Sequence, residues 1–174
     1  MPKIFTEHGY PLGDVISTIQ KEIRRGEERS AMFWAYHLIP RYEMYLWRRL
    51  MVIANEDIGL GNPQVLYVVP SLRDQFFEFR AEGKNGTCRL ILANALALMC
   101  RSPKSRLADH LQRAVSQEFM DQPEREFPDY ALDKHTERLQ DRWGRWLGVE
   151  EAKSTIKIKV KVRRRQTGRG QVSV

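Results

Sequence analysis

The stretch from Tyr42 to Gln64 constrains the fold more than any other part of the chain. Its apolar side chains recur at helical spacing and form two neighbouring stripes, a pattern that indicates a helix mostly surrounded by protein. The pattern stops at Gly59, and Asn62 and Pro63 follow as a predicted N-cap and first residue of the next helix. We therefore expect a buried helix, a sharp corner and a second helix.

Two carboxylates, Glu56 and Asp57, fall in the last turn of this predicted helix. The negative end of the helix dipole disfavours each of them there by roughly 0.3–1 kcal/mol. We expect compensation from Arg49, one heptad earlier, or from the N–H groups of the helix that opens at Asn62. The alternative is a catalytic pair. We favour a structural role, because adjacent helical residues point about 100° apart and do not converge on one substrate atom.

The rest of the body also reads as helical. The predicted helices run from Asp14 to Gly26, from Glu28 to Pro40, from Pro63 to Arg80 with a kink or break at Pro70, from Cys88 to Cys100, from a cap at Ser102 and Pro103 to Phe119, and from Thr136 to Leu147. The helix from Cys88 is the most apolar and should be the most buried. The helix after Pro103 is predicted to be amphipathic, with an apolar face formed by Leu107, Leu111, Ala114, Val115 and Phe119. We predict an all-α fold, a compact bundle of about six or seven helices.

The chain length of 174 residues and its 42% hydrophobic content suit one globular domain. We predict an N-terminal extension over residues 1–13, a helical domain over residues 14–148 and a basic tail over residues 149–174. Nothing in the sequence resembles a membrane span or a secretory signal. Cys88 and Cys100 lie too far apart along one predicted helix to form a disulfide, so we expect a cytoplasmic protein, with nucleoid association left open.

The net charge of +7 is confined to the C-terminal tail. Eight of the 29 basic residues and no acidic residue lie in residues 153–174: Lys153, Lys157, Lys159, Lys161, Arg163, Arg164, Arg165 and Arg169. The remaining body has 21 basic and 22 acidic residues and is nearly neutral. Any binding to DNA should therefore be weak, independent of sequence and dependent on this tail. A purely solubilising tail is the alternative.

Within the tail, residues 155–163 alternate strictly between apolar and basic side chains. This period of two is typical of a β-strand rather than a helix. A lone strand beside a helical domain has no sheet of its own to join. We favour a flexible tail, and a strand offered to the sheet edge of a partner protein is the alternative.

Familiar catalytic and ligand-binding motifs are absent from the sequence. There is no phosphate-binding loop, no HExxH, no GxSxG and no paired CxxC, so we predict no cofactor and no metal. The four histidines are scattered, and we interpret His37 as a packed side chain. The best remaining candidates for an enzyme site are Asp129, Asp133 and His135, which could position a general base for nucleotide or nucleic-acid chemistry. The competing interpretation is that Asp133 caps the last helix.

Four groups of residues between about positions 10 and 115 stand out together. They comprise Arg24, Arg25 and Gly26 before Ala31 to Trp34; Arg48, Arg49 and Leu50; Glu56, Asp57, Ile58, Gly59 and Leu60; and Ser102, Pro103, Lys104 and Ser105. In this order and spacing they resemble the C-terminal domain of the replication-associated recombination protein A family, which consists of clamp-loader-like AAA+ ATPases. The chain begins at Met1 without a recognisable motor, so the resemblance does not imply ATPase activity.

The resemblance implies an all-helical collar that assembles oligomers in a setting of DNA replication, recombination or repair. We therefore expect a non-catalytic oligomerisation or adaptor module, with a tetramer as the family-based expectation. Arg24, Arg25, Arg48, Arg49, Glu56, Asp57, Gly59, Pro103 and Lys104 are expected to brace the fold or an interface. The expected partners are a replication or repair ATPase, a single-strand-binding protein, or DNA. We also expect Trp34, Trp47, Trp143 and Trp146 to be exposed, which would favour association.

Overall fold

The computed structural model describes residues 4–131, which contain six α-helices. These are α1 (Leu12–Arg25), α2 (Glu28–Tyr36), α3 (Glu43–Ile53), α4 (Val65–Ala81), α5 (Asn85–Arg101) and α6 (Leu107–Asp121). A π-helical turn, Ala54–Ile58, and a 3-10 turn, Gly59–Gly61, follow α3, and another 3-10 turn spans Asp129–Ala131. Phe5 and Pro11 form an isolated β-bridge, and there is no strand within residues 4–131. The prediction of an all-α fold is confirmed.

The chain divides into two compact units, Met1–Asp121 and Gln122–Val174, and only residues 122–131 of the second are described. The predicted last helix, with Asp133, His135, Trp143 and Trp146, lies outside the described residues. So does the whole basic tail, including its alternating segment. The expectations for these residues and for the domain boundaries stay predictions.

Helices α1 and α2 pack against each other across a very short connection. As predicted, α1 ends at Gly26, whose φ of +80° is in the left-handed region that glycine adopts readily. The predicted start at Asp14 is wrong, because the carbonyl of Pro11 already accepts hydrogen bonds from the N–H groups of Asp14 and Val15. Asp14 instead lies in the first turn, where the helix dipole favours a carboxylate.

The core is centred on α3 and α5. Leu46, Leu50 and Ile53 of α3 are buried, and α5 contributes the largest set of buried side chains, as its apolar sequence predicted. The expectation that Trp47 is exposed is wrong: its ring is wholly buried and packs edge-on against Phe76 of α4. Trp47 therefore contributes to the core of this unit rather than to association.

Both cysteines lie in α5 and neither forms a disulfide, as predicted. Cys88 and Cys100 are buried. Burial raises the pKa of the Cys88 thiol, and it raises the pKa of the Cys100 thiol to about 11. Both thiols are therefore protonated and unreactive at neutral pH.

Two predicted helix caps are wrong for a common reason. Asn62 does not cap α4, which begins at Val65, and Ser102 does not cap α6, which begins at Leu107. The amide of Asn62 instead donates a hydrogen bond to the hydroxyl of Ser102 (2.9 Å), which itself donates to the carbonyl of Leu98. Pairing across the fold thus takes the place of local capping at both sites. Of the kink or break predicted at Pro70, the break is absent, since α4 continues through this residue.

Candidate functional site

The corner after α3 is a π-helical turn, and it carries Glu56 and Asp57. The two carboxylates have very different surroundings. The side chain of Asp57 is 1% exposed, whereas that of Glu56 is 22% exposed. The backbone carbonyl of Asp57 also accepts a hydrogen bond from the N–H of Ser105. Asp57 is thus buried and also bonded through its backbone, whereas the side chain of Glu56 is partly exposed to solvent.

Helix α1 supplies the main partners of these acids through Gln20 and Arg24, which lie one helical turn apart. Arg24 Nε donates to Asp57 Oδ1 (2.7 Å), and Gln20 Nε2 donates to Asp57 Oδ2 (2.8 Å). The same two side chains reach Glu56 over longer distances of 3.4 and 3.3 Å. Glu56 and Asp57 therefore share their partners, and our expectation that adjacent carboxylates diverge is wrong at this turn.

Arg106, just before α6, extends this network to that helix. Its guanidinium contacts Glu56 Oε1 at 3.4 Å and Asp57 Oδ1 at 3.6 Å, and it donates to Asp109 Oδ2 at 2.6 Å. Arg113 donates to the other oxygen of Asp109. Desolvation raises the pKa of Asp109, but the hydrogen bonds from Arg113 and Arg106 outweigh it and hold this pKa below its usual value. Arg106 thereby links the start of α6 to the corner.

Compensation was expected from Arg49 or from the N–H groups of the helix that opens at Asn62, but the hydrogen-bond donors to the two acids are Gln20, Arg24 and Arg106. Arg49 Nη2 donates to Gln20 Oε1 (3.3 Å), so it orients the amide that binds the acids rather than the acids themselves. Arg25 is exposed and pairs with Glu22 at 3.6 Å. Arg48 is exposed and lines the groove between α3 and α6.

The segment between α5 and α6 closes the corner from the other side. Lys104 Nζ donates to the carbonyls of Met99, Cys100 and Ser102 at 2.6–3.0 Å, and so caps the end of α5. Gly59 has a φ of +43°, a left-handed conformation that suits glycine. A Cβ on Gly61 would lie 2.4 Å from the carbonyl oxygen of Pro103. The sequence showed Gly61 only as a helix stop, and its tight contact with the chain at Pro103 was missed.

A groove of about 710 Å³ lies between α3 and α6. Its walls combine apolar and charged residues: Arg48, Met51, Val52, Asn55, Glu56, Ala108, Asp109, Gln112 and Arg113. Both carboxylates in it, Glu56 and Asp109, are paired with arginines. Such pairing occupies the carboxylate oxygens and suits a structural brace better than a general base, which needs an accessible lone pair. Within residues 4–131, no cluster of three or more metal-binding side chains occurs.

A second face of α6 is apolar and exposed to solvent. Four apolar side chains spaced four residues apart, Leu107, Leu111, Val115 and Phe119, are 63%, 62%, 51% and 63% exposed. We call this row the outer face of α6. The sequence correctly predicted an amphipathic helix over these residues. In the structure, the side with Ala108, Asp109 and Gln112 lines the groove beside α3 and the apolar row faces solvent, although no residue of α6 is buried.

The residues proposed for an enzyme are not brought together in the described part of the chain. Asp129 begins the 3-10 turn Asp129–Ala131, and its candidate companions Asp133 and His135 lie outside the described residues. That hypothesis stays a prediction. In the helices of residues 4–131, no segment has the length and apolar character needed to cross a membrane.

Comparison with known proteins places this arrangement in a family. Residues 26–149 match the family described as MgsA AAA+ ATPase C terminal. Replication-associated recombination protein A of Haemophilus influenzae is 25% identical over 140 residues, covering 79% of this chain and 30% of that protein. The Bacillus subtilis protein of the same name is 37% identical over 100 residues, covering 55% of this chain and 22% of that protein.

The Escherichia coli K12 protein of this name is 24% identical over 140 residues, again covering 79% of the chain. The chain thus spans less than a third of the length of these relatives. The family match extends well beyond half of the chain and includes the corner, α6 and the segment that carries Lys104. The chain therefore belongs to the family of MgsA AAA+ ATPase C-terminal domains.

Proposed function

We propose that this chain is a non-catalytic association module of the machinery for DNA replication, recombination and repair, and that it binds further copies of itself through the outer face of α6. The names of its relatives place those proteins in replication-associated recombination. The family description concerns the C-terminal part of an ATPase. We propose that the protein acts in the cytoplasm, near the nucleoid.

The observation that carries this proposal is the orientation of α6. Arg106 pairs with Glu56 and Asp57 of the corner and also with Asp109 of α6, while four large apolar side chains face solvent. Burying apolar area is worth about 25 cal/mol per Å². A contiguous apolar row that is held outwards by ion pairs is typical of a surface that another protein covers.

A second copy of the chain suits this surface for geometric reasons. The outer face is a single ridge of residues spaced by four, and two such ridges interdigitate at a crossing angle of about −50°, the commonest class of helix packing. A two-fold axis makes a surface its own partner, and it can pair the two helices antiparallel, so that their dipoles attract. None of the four side chains carries a charge that self-association would bury.

Further apolar area surrounds the ridge. Leu60, on the 3-10 turn that packs against α6, is 62% exposed, and Met120 is 80% exposed. Stable dimers bury about 800 Å² on each partner, which is more than one short ridge supplies. We therefore include Leu60 and Met120 in the interface, and we keep a tetramer as the family-based expectation for the full assembly.

Light scattering coupled to size-exclusion chromatography tests the proposal at tens of micromolar chain. The parent should have a mass of two or more times the 20.5 kDa of one chain. Leu111→Glu should shift it towards the monomer, because it places a charge in the interface. Leu90→Glu is the matched control, since Leu90 is a helical leucine of α5 with the same 62% exposure. A monomeric parent, or equal dissociation by both substitutions, would contradict the proposal.

Binding of DNA through the tail is a separate part of the proposed function, and it rests on charge location. Fluorescence anisotropy with labelled DNA should show binding by the full chain that weakens steeply with salt. A chain that ends at Ala152 should bind far more weakly, because it lacks all eight tail cations. Equal affinity of the two chains would instead assign DNA binding to the helical body.

A further inference from the structure

The N-terminal segment before α1 forms a tight turn with a histidine at its tip. Thr6, buried in the structure, anchors the turn: its N–H donates to the carbonyl of Tyr10, and its carbonyl and hydroxyl accept from Gly9 and Tyr10. Gly9 has a φ of +80°, which lets the chain reverse directly after His8. The position of His8 is therefore fixed by the backbone around it.

This turn brings His8 against His37, which directly follows α2. Their Nδ1 atoms are 3.2 Å apart, and their rings meet edge to face. The two residues are far apart in the sequence and on no common helical turn, so local spacing does not predict their contact. At this distance one imidazole donates a hydrogen bond and the other accepts it.

The same distance also suits two ligands of one metal ion. Nitrogens that each lie about 2.05 Å from a tetrahedral zinc ion are about 3.3 Å apart. From this geometry we propose that His8 and His37 form a binding site for a divalent zinc-like metal ion, which ties the N-terminal turn to the end of α2. The proposal does not depend on association through α6.

The chemistry of the pair fits this class of ion. Neutral imidazole is a preferred ligand of zinc, nickel and copper ions. Binding needs both rings to carry their proton on Nε2, which the donor ring achieves by exchanging its Nδ1 proton through solvent, without net proton release. His8 is exposed and His37 half-buried, so an ion can reach them.

Within residues 4–131, no third histidine, cysteine or carboxylate completes the pair into a larger cluster. Water must therefore supply the remaining ligands, and the site should bind more weakly and exchange faster than a structural zinc site with four protein ligands. Aromatic rings of Tyr10, Phe33 and Trp34 surround His37. The Trp34 ring lies 5.4 Å from that of His37, close enough to report a bound quenching ion.

The test uses the full chain without a histidine tag, freed of metal by EDTA and then titrated at neutral pH. Calorimetry with Zn²⁺ should show saturable binding of one ion per chain, and the melting temperature should rise with Zn²⁺ concentration, because the ion binds only the folded turn. Ni²⁺ should quench part of the tryptophan fluorescence in a saturable manner.

His8→Gln and His37→Gln should each abolish the saturable binding, the Zn²⁺-dependent rise in melting temperature and the Ni²⁺ quenching. His110→Gln, on α6, is the control and should retain all three. His8 is exposed on a surface turn, so its substitution should leave the melting temperature in EDTA unchanged and keep the test valid. A parent that does not bind Zn²⁺ saturably, or a His8→Gln chain that binds as the parent does, overturns the proposal.

Discussion

Replacing Asp57 by asparagine should destabilise the protein far more than replacing its neighbour Glu56 by glutamine. Each substitution removes one negative charge and keeps the shape of the side chain. The two acids share Gln20 and Arg24 as partners, yet Asp57 is 1% exposed and Glu56 is 22% exposed. The comparison therefore isolates the effect of burial and bond length.

The magnitude for Asp57→Asn follows from the contacts of its two oxygens. Arg24 Nε and Gln20 Nε2 both donate to this carboxylate, at 2.7 and 2.8 Å. The substituted amide offers one acceptor oxygen, so its NH₂ group must face one of these donors. The loss of one hydrogen bond to a charged group costs about 1.5–3 kcal/mol. For a chain of this size, we expect the melting temperature to fall by about 5–10 °C.

For Glu56→Gln the expected loss is below about 1 kcal/mol. Its hydrogen bonds are 3.3–3.4 Å long, and water can replace them because the side chain is partly exposed. Thermal melts followed by circular dichroism, with urea unfolding of the same proteins, measure both changes. The reasoning is refuted if Asp57→Asn melts like the parent, or if Glu56→Gln loses as much stability as Asp57→Asn.

Three further predictions concern single positions. Gly61→Ala should lower the free energy of unfolding in urea by about 1–3 kcal/mol, because its Cβ would lie 2.4 Å from the carbonyl oxygen of Pro103. Gly13→Ala is the control: its Cβ would meet nothing within 4 Å, and it should stabilise α1 by about 0.5–1 kcal/mol. Lys104→Met should lower stability by about 1–3 kcal/mol, because it leaves the carbonyls at the end of α5 without their donor; an unchanged midpoint would show that water replaces the ammonium. Since burial and the neighbouring His8 lower the pKa of His37 below 6.5, the unfolded chain binds more protons at mildly acidic pH, and stability in EDTA should fall as the pH drops through that value. His37→Gln should reduce the dependence of stability on pH. Parallel pH profiles of the parent and the variant would contradict the assignment of this dependence to His37.

The helices and their order could be predicted from the sequence, because apolar side chains at a spacing of three and four residues bury together in only one regular structure. The ends of helices that depend on backbone geometry were also readable, as at Gly26, where the left-handed conformation suits glycine. The burial of α5 could be predicted from its apolar composition. These features depend on local chemistry, which the sequence contains directly.

Side-chain partners across the fold could not be predicted in this way. Asn62 and Ser102 have the local pattern of helix caps, but they bind each other because α4 packs against α5. The partner of Asp57 was sought nearby at Arg49, whereas Arg24 of another helix reaches it. His8 and His37 meet only because a turn folds back on α2. Residues distant in the sequence compete for the same polar groups, and local spacing does not indicate which of them forms the hydrogen bond.

The direction in which α6 faces shows the same division most clearly. From the sequence alone, Leu107, Leu111, Val115 and Phe119 were predicted to share one face of an amphipathic helix, because their spacing of four residues places them there. Whether that face points to the core or to solvent depends on where the other side of the helix is held. Only the tertiary structure decided this, because Arg106 at the start of α6 forms ion pairs with Glu56 and Asp57 of the corner, which lie far from it in the sequence.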